Sequence, residues 1–216
     1  MLAPAPRLLV DVGCGTGATG REAKRRFPGI TVVGFEYSPS AAAIARAHLD
    51  TVIEGDVESA DFTDAGLAPG SVDAVLLADV LEHLYDPWTL LVRLRPLLRP
   101  DAQIIASIPN VRNLVLLSEL AAGDFPYADA GLLDVTHIRF FTRAGIVRLF
   151  AQTGYDIVEV RGADDARIPP YGDIATPADV TVGSVTLRNL DREALLELRT
   201  IQFYVKAVPA AHPANS

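Results

Sequence analysis

The 216-residue sequence predicts an α/β fold: a doubly wound, mostly parallel sheet with helices on both faces. Three observations lead there. Short apolar runs alternate with helix-like segments over the first half of the chain. One run, VDAVLLA (72–78), is hydrophobic throughout but for Asp73, as strands covered on both faces are. A glycine-rich turn, DVGCGTGATG from Asp11 to Gly20, directly follows the first apolar run, where such folds place a ligand-binding loop.

Taken in order, RLLVDV (7–12) reads as a buried strand, and the helix after it carries Thr19 and Glu22 at capping-box spacing. TVVGFE (31–36) is the second strand. Ser38 and Pro39 suit the N-cap and first position of a helix running through AAAIARAHL. TVIEGD (51–56) and VDAVLLA are the third and fourth strands. Asp86 and Pro87 open a helix on which Leu90, Leu91, Leu94, Leu97 and Leu98 form an apolar stripe. QIIASIP (103–109) is the fifth strand. Residues 110–137 then hold a helix (NLVLLSELAA) and an irregular segment. Thr142 caps a helix reaching Gly154, and YDIVEV (155–160) is the sixth strand. Residues 162–190, rich in Gly, Pro and Asp, read as a second irregular insertion. DREALLEL (191–198) is a helix and TIQFYVKAV (200–208) the seventh strand, expected to lie antiparallel. The chain is thus read as one domain over 1–208, with lid-like insertions at about 110–137 and 162–190 and a loose tail at 209–216.

Half the residues are hydrophobic, and the formal net charge is −8, which disfavours broad attraction to nucleic acid or an anionic membrane. The one cysteine, Cys14, excludes an internal disulfide. With no histidine near it in sequence, it reads as a small buried residue of the turn rather than a nucleophile. The opening MLAPAPRLLVDVG lacks a charged region followed by an apolar core, so it is not a signal peptide. No uncharged apolar run approaches membrane-spanning length. A cytoplasmic protein is expected, with a homodimer left open.

The glycine turn fits two ligands. Gly15, Gly17 and Gly20 satisfy GxGxxG, a dinucleotide pattern; Gly13, Gly15 and Gly17 satisfy GxGxG, an S-adenosylmethionine pattern. Glycines let the backbone approach either one. Both also need an acid for a ribose diol at the end of the second strand, and Glu36 stands there, about 20 residues beyond the loop. Three further features separate them. Asp56 ends the third strand, where a carboxylate accepts from an adenine amine, with the Val57 amide beside it. The fourth strand ends in ADVLEHLYDP, a polar turn opening into a helix. Asp11 precedes the loop, an acid that balances an ammonium group and repels a pyrophosphate.

With DVGCGTG, GFEYSP, GDVE, VDAVLLADVLEHLYDP and LLRPDAQIIASIPN in order over residues 7–110, the chain resembles a class I S-adenosylmethionine-dependent methyltransferase. The family sheet has seven strands, the last inserted antiparallel. The resemblance implies backbone contacts from Gly13, Gly15 and Gly17 to the methionine part of S-adenosylmethionine. It implies Glu36 on the ribose hydroxyls, Tyr37 near adenine, Asp56 and Val57 at the adenine edge, and Ala78 or Asp79 near the methionine amine. Residues 109–155 are similar to a bacterial subgroup associated with glycan or cell-envelope gene products. That implies a small-molecule acceptor, a sugar or nucleotide-sugar; nucleic acid is disfavoured by the −8 charge and the lack of a basic stripe. Many relatives carry helices before the first strand; here six residues precede Arg7, so closure of the site is expected from the insertions, another chain or a preceding native segment.

Methyl transfer from a sulfonium is an in-line displacement that needs alignment, exclusion of water and often a base for the acceptor proton. Of the four histidines, His48 and His212 are set aside as surface and tail residues. His83, after Glu82, reads either as a base or as a loop-orienting residue. His137, ending the first insertion, is the preferred base, since an imidazole is poised near neutrality. Asp79, Glu82 and His83 are also similar to the metal-binding ExxEH cluster of ubiquinone-biosynthesis O-methyltransferases and small-RNA ribose methyltransferases. In the latter a later histidine adds a ligand, and THIRFFTR (136–143) resembles its setting. A divalent metal at Asp79, Glu82, His83 and His137 is therefore the alternative to a metal-free site. Trp88 reads as helix packing, Phe140 and Phe141 as helix anchors, and Tyr127 and Tyr171 as stacking candidates. Arg112 and Arg139 are the cations available to an anionic acceptor. The expected activity is O-methylation of a small, sugar-derived acceptor. The rivals are a dehydrogenase-like nucleotide binder and a non-catalytic S-adenosylmethionine-binding regulator or scaffold.

Overall fold

The computed structural model describes residues 1–211. In β1 (Leu8–Val12) successive side chains point to opposite faces: Val10 and Val12 enter one apolar cluster, Leu9 another. The same alternation runs along β4 (Val72–Ala78), with Val75 and Leu77 on one side and Ala74 and Leu76 on the other. Both faces are buried, which is why these runs are hydrophobic but for Asp11 and Asp73. With β2 (Thr31–Glu36), β3 (Thr51–Glu54) and β5 (Leu98–Pro109) they form the parallel part of the sheet. β6 (Tyr155–Asp164) and β9 (Thr200–Pro209) complete it in the order β3-β2-β1-β4-β5-β9-β6, with β9 antiparallel to both neighbours. The seven strands and the antiparallel last one agree with the sequence reading. The chain winds outward in opposite directions from β1 and β4, leaving a crevice at their carboxyl ends.

The helices are α1 (Ala18–Arg26), α2 (Pro39–Ala45), α3 (Pro87–Leu94), α4 (Leu114–Ala121), α5 (Arg143–Gln152) and α6 (Arg192–Arg199). Ser38, Asp86, Asn113, Thr142 and Asp191 each cap one by accepting a first-turn amide. α1 departs from expectation. It starts two residues earlier than the Thr19–Glu22 spacing implies, on Gly17 in a left-handed conformation with no side-chain cap, and Glu22 pairs instead with Arg25 at 2.6 Å.

Two further boundaries differ. Leu98 leaves the α3 stripe, because Pro96 cannot continue the helix; a short 3₁₀ turn (Arg95–Leu97) follows, and β5 begins at Leu98. The stretch 162–190 is not wholly irregular: β7 (Ala178–Val182) and β8 (Val185–Leu190) form a hairpin about Gly183 and Ser184. One face of it packs with Leu114 and Leu117 of α4 and Leu195 and Leu198 of α6 in a separate apolar cluster. Among the described residues no helix is long and apolar enough to cross a membrane. Most of the expected loose tail, with His212, lies outside the described residues.

Candidate active site

The loop after β1 turns through three left-handed glycines, Gly13, Gly15 and Gly17, with φ of 65°, 55° and 79°. At Gly13 the requirement is also spatial: a Cβ there would stand 2.8 Å from Val80 Cγ2. Gly20, the last glycine of the dinucleotide pattern, serves packing instead. It lies on α1, where a Cβ would meet Leu49 at 2.5 Å. Cys14 is buried, its sulfur against Gly34.

Glu36, at the tip of β2, accepts the Gly15 amide at 2.7 Å and the Ser38 amide at 2.8 Å, which fixes its carboxylate beside the loop. Asp56, just past β3, accepts the Glu58 amide at 2.9 Å. Val57 is buried and Tyr37 almost fully exposed. Asp11 is buried under the loop, and its Oδ2 has no partner among the described residues. Burial above all, with the Glu36 charge adding, pushes its pKa up to about 7, against an opposing hydrogen bond from the Gly20 backbone.

At the tip of β4, Ala78 is exposed and Asp79 takes a left-handed φ of 55°. The Asp79 amide donates to Ser107 Oγ at 3.0 Å, and its carboxylate accepts from Ser107 Oγ and Gln202 Nε2. Asp79 therefore turns toward β5 and β9, and not toward the other acid and histidines with which the sequence grouped it.

Those three do meet. Ligand atoms of Glu82, His83 and His137 lie within 4.8 Å of one another. His83 Nδ1 stands 3.2 Å from the Thr136 carbonyl and His137 Nδ1 3.2 Å from the Leu132 carbonyl. A carbonyl only accepts, so each Nδ1 is the donor, and in the neutral tautomer that makes this bond Nε2 carries the lone pair. Glu82 is buried, neither carboxylate oxygen having a partner among the described residues. Burial chiefly, with the Asp79 charge adding, pushes its pKa up to about 8.

One cleft of about 570 Å³ joins the two halves. It is lined by Gly13, Glu36, Tyr37, Asp56 and Val57 on one side and by Asp79, His83, Tyr85 and Thr136 on the other. Gly15, Gly17, Asp11, Ala78 and His137 are not among its walls. Sequence reasoning missed Tyr85 and Thr136, which lie inside the ADVLEHLYDP and THIRFFTR motifs, and Ser107 and Gln202, which only the sheet order brings to Asp79.

The remaining candidates resolve locally. Trp88 Nε1 donates to Gln152 at 3.1 Å, bridging α3 and α5. Phe141 is in the core, and Phe140 belongs to an exposed aromatic group with Phe125 and Tyr127. Tyr171 packs in the hairpin cluster. Both arginines are engaged: Arg112 with Glu197 at 2.6 Å and Arg139 with the Tyr85 carbonyl. His48 is half-buried after α2, beside Gly17.

Residues 10–104 match the family model for a methyltransferase domain. The ubiquinone biosynthesis O-methyltransferase of Cupriavidus pinatubonensis is 32% identical over 162 residues, 73% of this chain and 64% of that protein. The trans-aconitate 2-methyltransferase of Methylobacterium radiotolerans is 36% identical over 106 residues, 49% of this chain and 39% of its own length. The chain thus spans under two thirds of the length of these curated relatives. An S-adenosylmethionine-dependent methyltransferase structure from Thermotoga maritima superposes with a TM-score of 0.61 at 17% identity, covering 96% of this chain and 83% of the other. One from Mesorhizobium loti gives 0.59 at 19%, covering 94% and 91%. These two likenesses show a shared fold. Over residues 10–104 the chain carries a methyltransferase domain, and its fold is that of S-adenosylmethionine-dependent methyltransferases.

Proposed function

We propose that this chain transfers the methyl group of S-adenosylmethionine to a hydroxyl of a small acceptor, with His83 as the base. The observation that carries this is the single cleft, whose walls hold both the cofactor candidates and His83. Bound there, the cofactor would supply an electrophilic methyl on sulfur. Glu36, held by Gly15 and Ser38, orients a ribose diol; Asp56 and Val57 take the adenine edge, with Tyr37 over it. The Gly13–Gly17 loop keeps the methionine part close to the backbone. His83 lines the cleft, and its neutral tautomer with Nδ1 on the Thr136 carbonyl would take the acceptor proton at Nε2. This exchanges the roles expected of the two histidines, because His137 is buried and does not line the cleft.

The acceptor read most directly from the walls is neutral and ring-bearing. Tyr85 lines the cleft and is largely exposed, and the aromatic group of Phe125, Tyr127 and Phe140 lies in the segment leading to and following His137. The two arginines considered for a nucleotide-sugar phosphate are both engaged, which favours an uncharged hydroxylated acceptor over a phosphorylated one. Calorimetric titration with S-adenosylhomocysteine and with NAD tests the cofactor. Transfer of labelled methyl to panels of phenols, free sugars and nucleotide-sugars tests the acceptor.

A second reading has its own observation. The two buried, unpartnered oxygens of Glu82 and the two lone-pair nitrogens fit a divalent cation. Glu82, His83 and His137 would hold it, without Asp79, and it would polarise an acceptor hydroxyl. Activity and metal content before and after chelation separate the two readings.

A further inference from the structure

The structure assigns Glu58 a positioning role that joins the cofactor end of the cleft to its acceptor end. This rests on the reading that adenine lies at Asp56 and Val57. The Glu58 amide donates to Asp56, while its two carboxylate oxygens accept separately from Tyr85 at 3.0 Å and Asp86 at 2.7 Å. These two amides precede α3, and that helix already has its own cap in Asp86, which accepts from Thr89 at 3.0 Å, and Pro87 at its first position. The helix does not need Glu58; the carboxylate ties one loop to another.

The ties continue. The Tyr85 carbonyl accepts the Arg139 guanidinium, and the amides of Ile138 and Arg139 both donate to the Glu82 carbonyl at 2.9 and 3.0 Å. Thr136, two residues earlier, orients His83. The 56–58 loop, the turn at 82–86 and the strap at 136–139 are therefore linked in series by directional contacts. The Arg93 guanidinium, on α3, also holds the carbonyls of Val57, Glu58 and Ala60, while the Glu58 carboxylate is the tie that reaches the amides of the turn at 85–86 directly. Occupancy of the adenine end steadies the strap that positions His83, and by thermodynamic reciprocity an acceptor held by the strap tightens the cofactor.

Hydrogen exchange of the whole chain, with and without saturating S-adenosylhomocysteine, tests this without an identified acceptor. Calorimetry first shows whether the ligand binds; no binding overturns the cofactor reading itself. In the unsubstituted protein the ligand should slow exchange at 56–58 and, on the order of tenfold, at 136–139. In Glu58→Ala, and independently in Arg139→Gln, the ligand should still bind and protect 56–58 while protection of 136–139 is lost. Ligand-induced protection of the strap that is absent from the unsubstituted protein, or equal in both variants, overturns the coupling while leaving the cofactor site standing. Glu58→Gln keeps the side-chain length should the alanine variant not fold, and is expected to lose part of the strap response.

Discussion

The rings of His83 and His137 meet edge to face, with centroids 4.7 Å apart and an interplanar angle of 70°. Each is hydrogen-bonded at Nδ1 to a backbone carbonyl, and a carboxylate oxygen of the buried Glu82 lies within 4.8 Å of a ring nitrogen of each. His83 alone of the pair lines the cleft, so His83→Ala should lower kcat by about 10²–10⁴-fold, the usual contribution of a positioned base. Cofactor affinity should hardly move. His137→Ala should do less if no metal is used and as much if one is. Single-turnover assays alongside calorimetry check both.

Glu82 separates the two readings of that trio more sharply. Its carboxyl is pushed up to about 8, so at pH 7 the cation-free protein holds it neutral. An isosteric neutral amide costs little there, and Glu82→Gln should keep stability at pH 7 within about 1 kcal/mol. A cation needs the ionised carboxylate, so the same variant should abolish stoichiometric binding of a divalent ion. Equilibrium dialysis against zinc and magnesium, with a denaturation midpoint on the same samples, decides it.

Glu36 should act on binding rather than on turnover. Its carboxylate is already fixed by two amides, so little order is lost when a diol arrives. Glu36→Ala should weaken S-adenosylhomocysteine by about tenfold or more, the scale of a lost hydrogen bond to a charged group. Calorimetry reads it directly; unchanged affinity would place the ribose elsewhere.

Sequence reasoning reached the fold because its signals were local: apolar runs at β1 and β4, polar caps before most helices, and glycines in the first turn. It failed where a competing local choice won, as at Gly17, which starts α1 in place of Thr19, or where Pro96 ended a stripe early. The β7–β8 hairpin was hidden because most of its side chains are exposed, leaving no hydrophobic run to read. Asp79 is the instructive case in the site. Spacing placed it with Glu82 and His83, but its left-handed backbone and the Gln202 amide, brought in by the antiparallel β9, turn the carboxylate away. No sequence separation encodes a contact 123 residues long.

Gly13 joins fold and site in one position. A side chain there would combine a disfavoured positive φ with a Cβ 2.8 Å from Val80 Cγ2. Gly13→Ala should destabilise the chain by about 1–3 kcal/mol and weaken the cofactor by displacing the loop. Urea midpoints and calorimetry on the one variant measure both, and a stable variant with full affinity would show that the loop has slack.

Asp11 should make stability depend on pH in a direction opposite to that of a salt-bridged acid. Its folded pKa, about 7, is raised from an unfolded value of 3.8. Between those values the folded state holds a proton that the unfolded state has released, so stability falls as pH rises from about 4 to about 7 and then levels off. Asp11→Asn removes that slope. Relative to the unsubstituted protein, the variant should gain on the order of a few kcal/mol between pH 4.5 and pH 8. A cationic ligand group that reaches Asp11 directly or through water would favour the ionised form, lower the pKa and flatten the slope in the unsubstituted protein alone. Urea midpoints across that range, with and without S-adenosylhomocysteine, therefore test burial and ligand contact together. Parallel profiles for the two proteins without ligand would mean that Asp11 titrates no differently folded than unfolded.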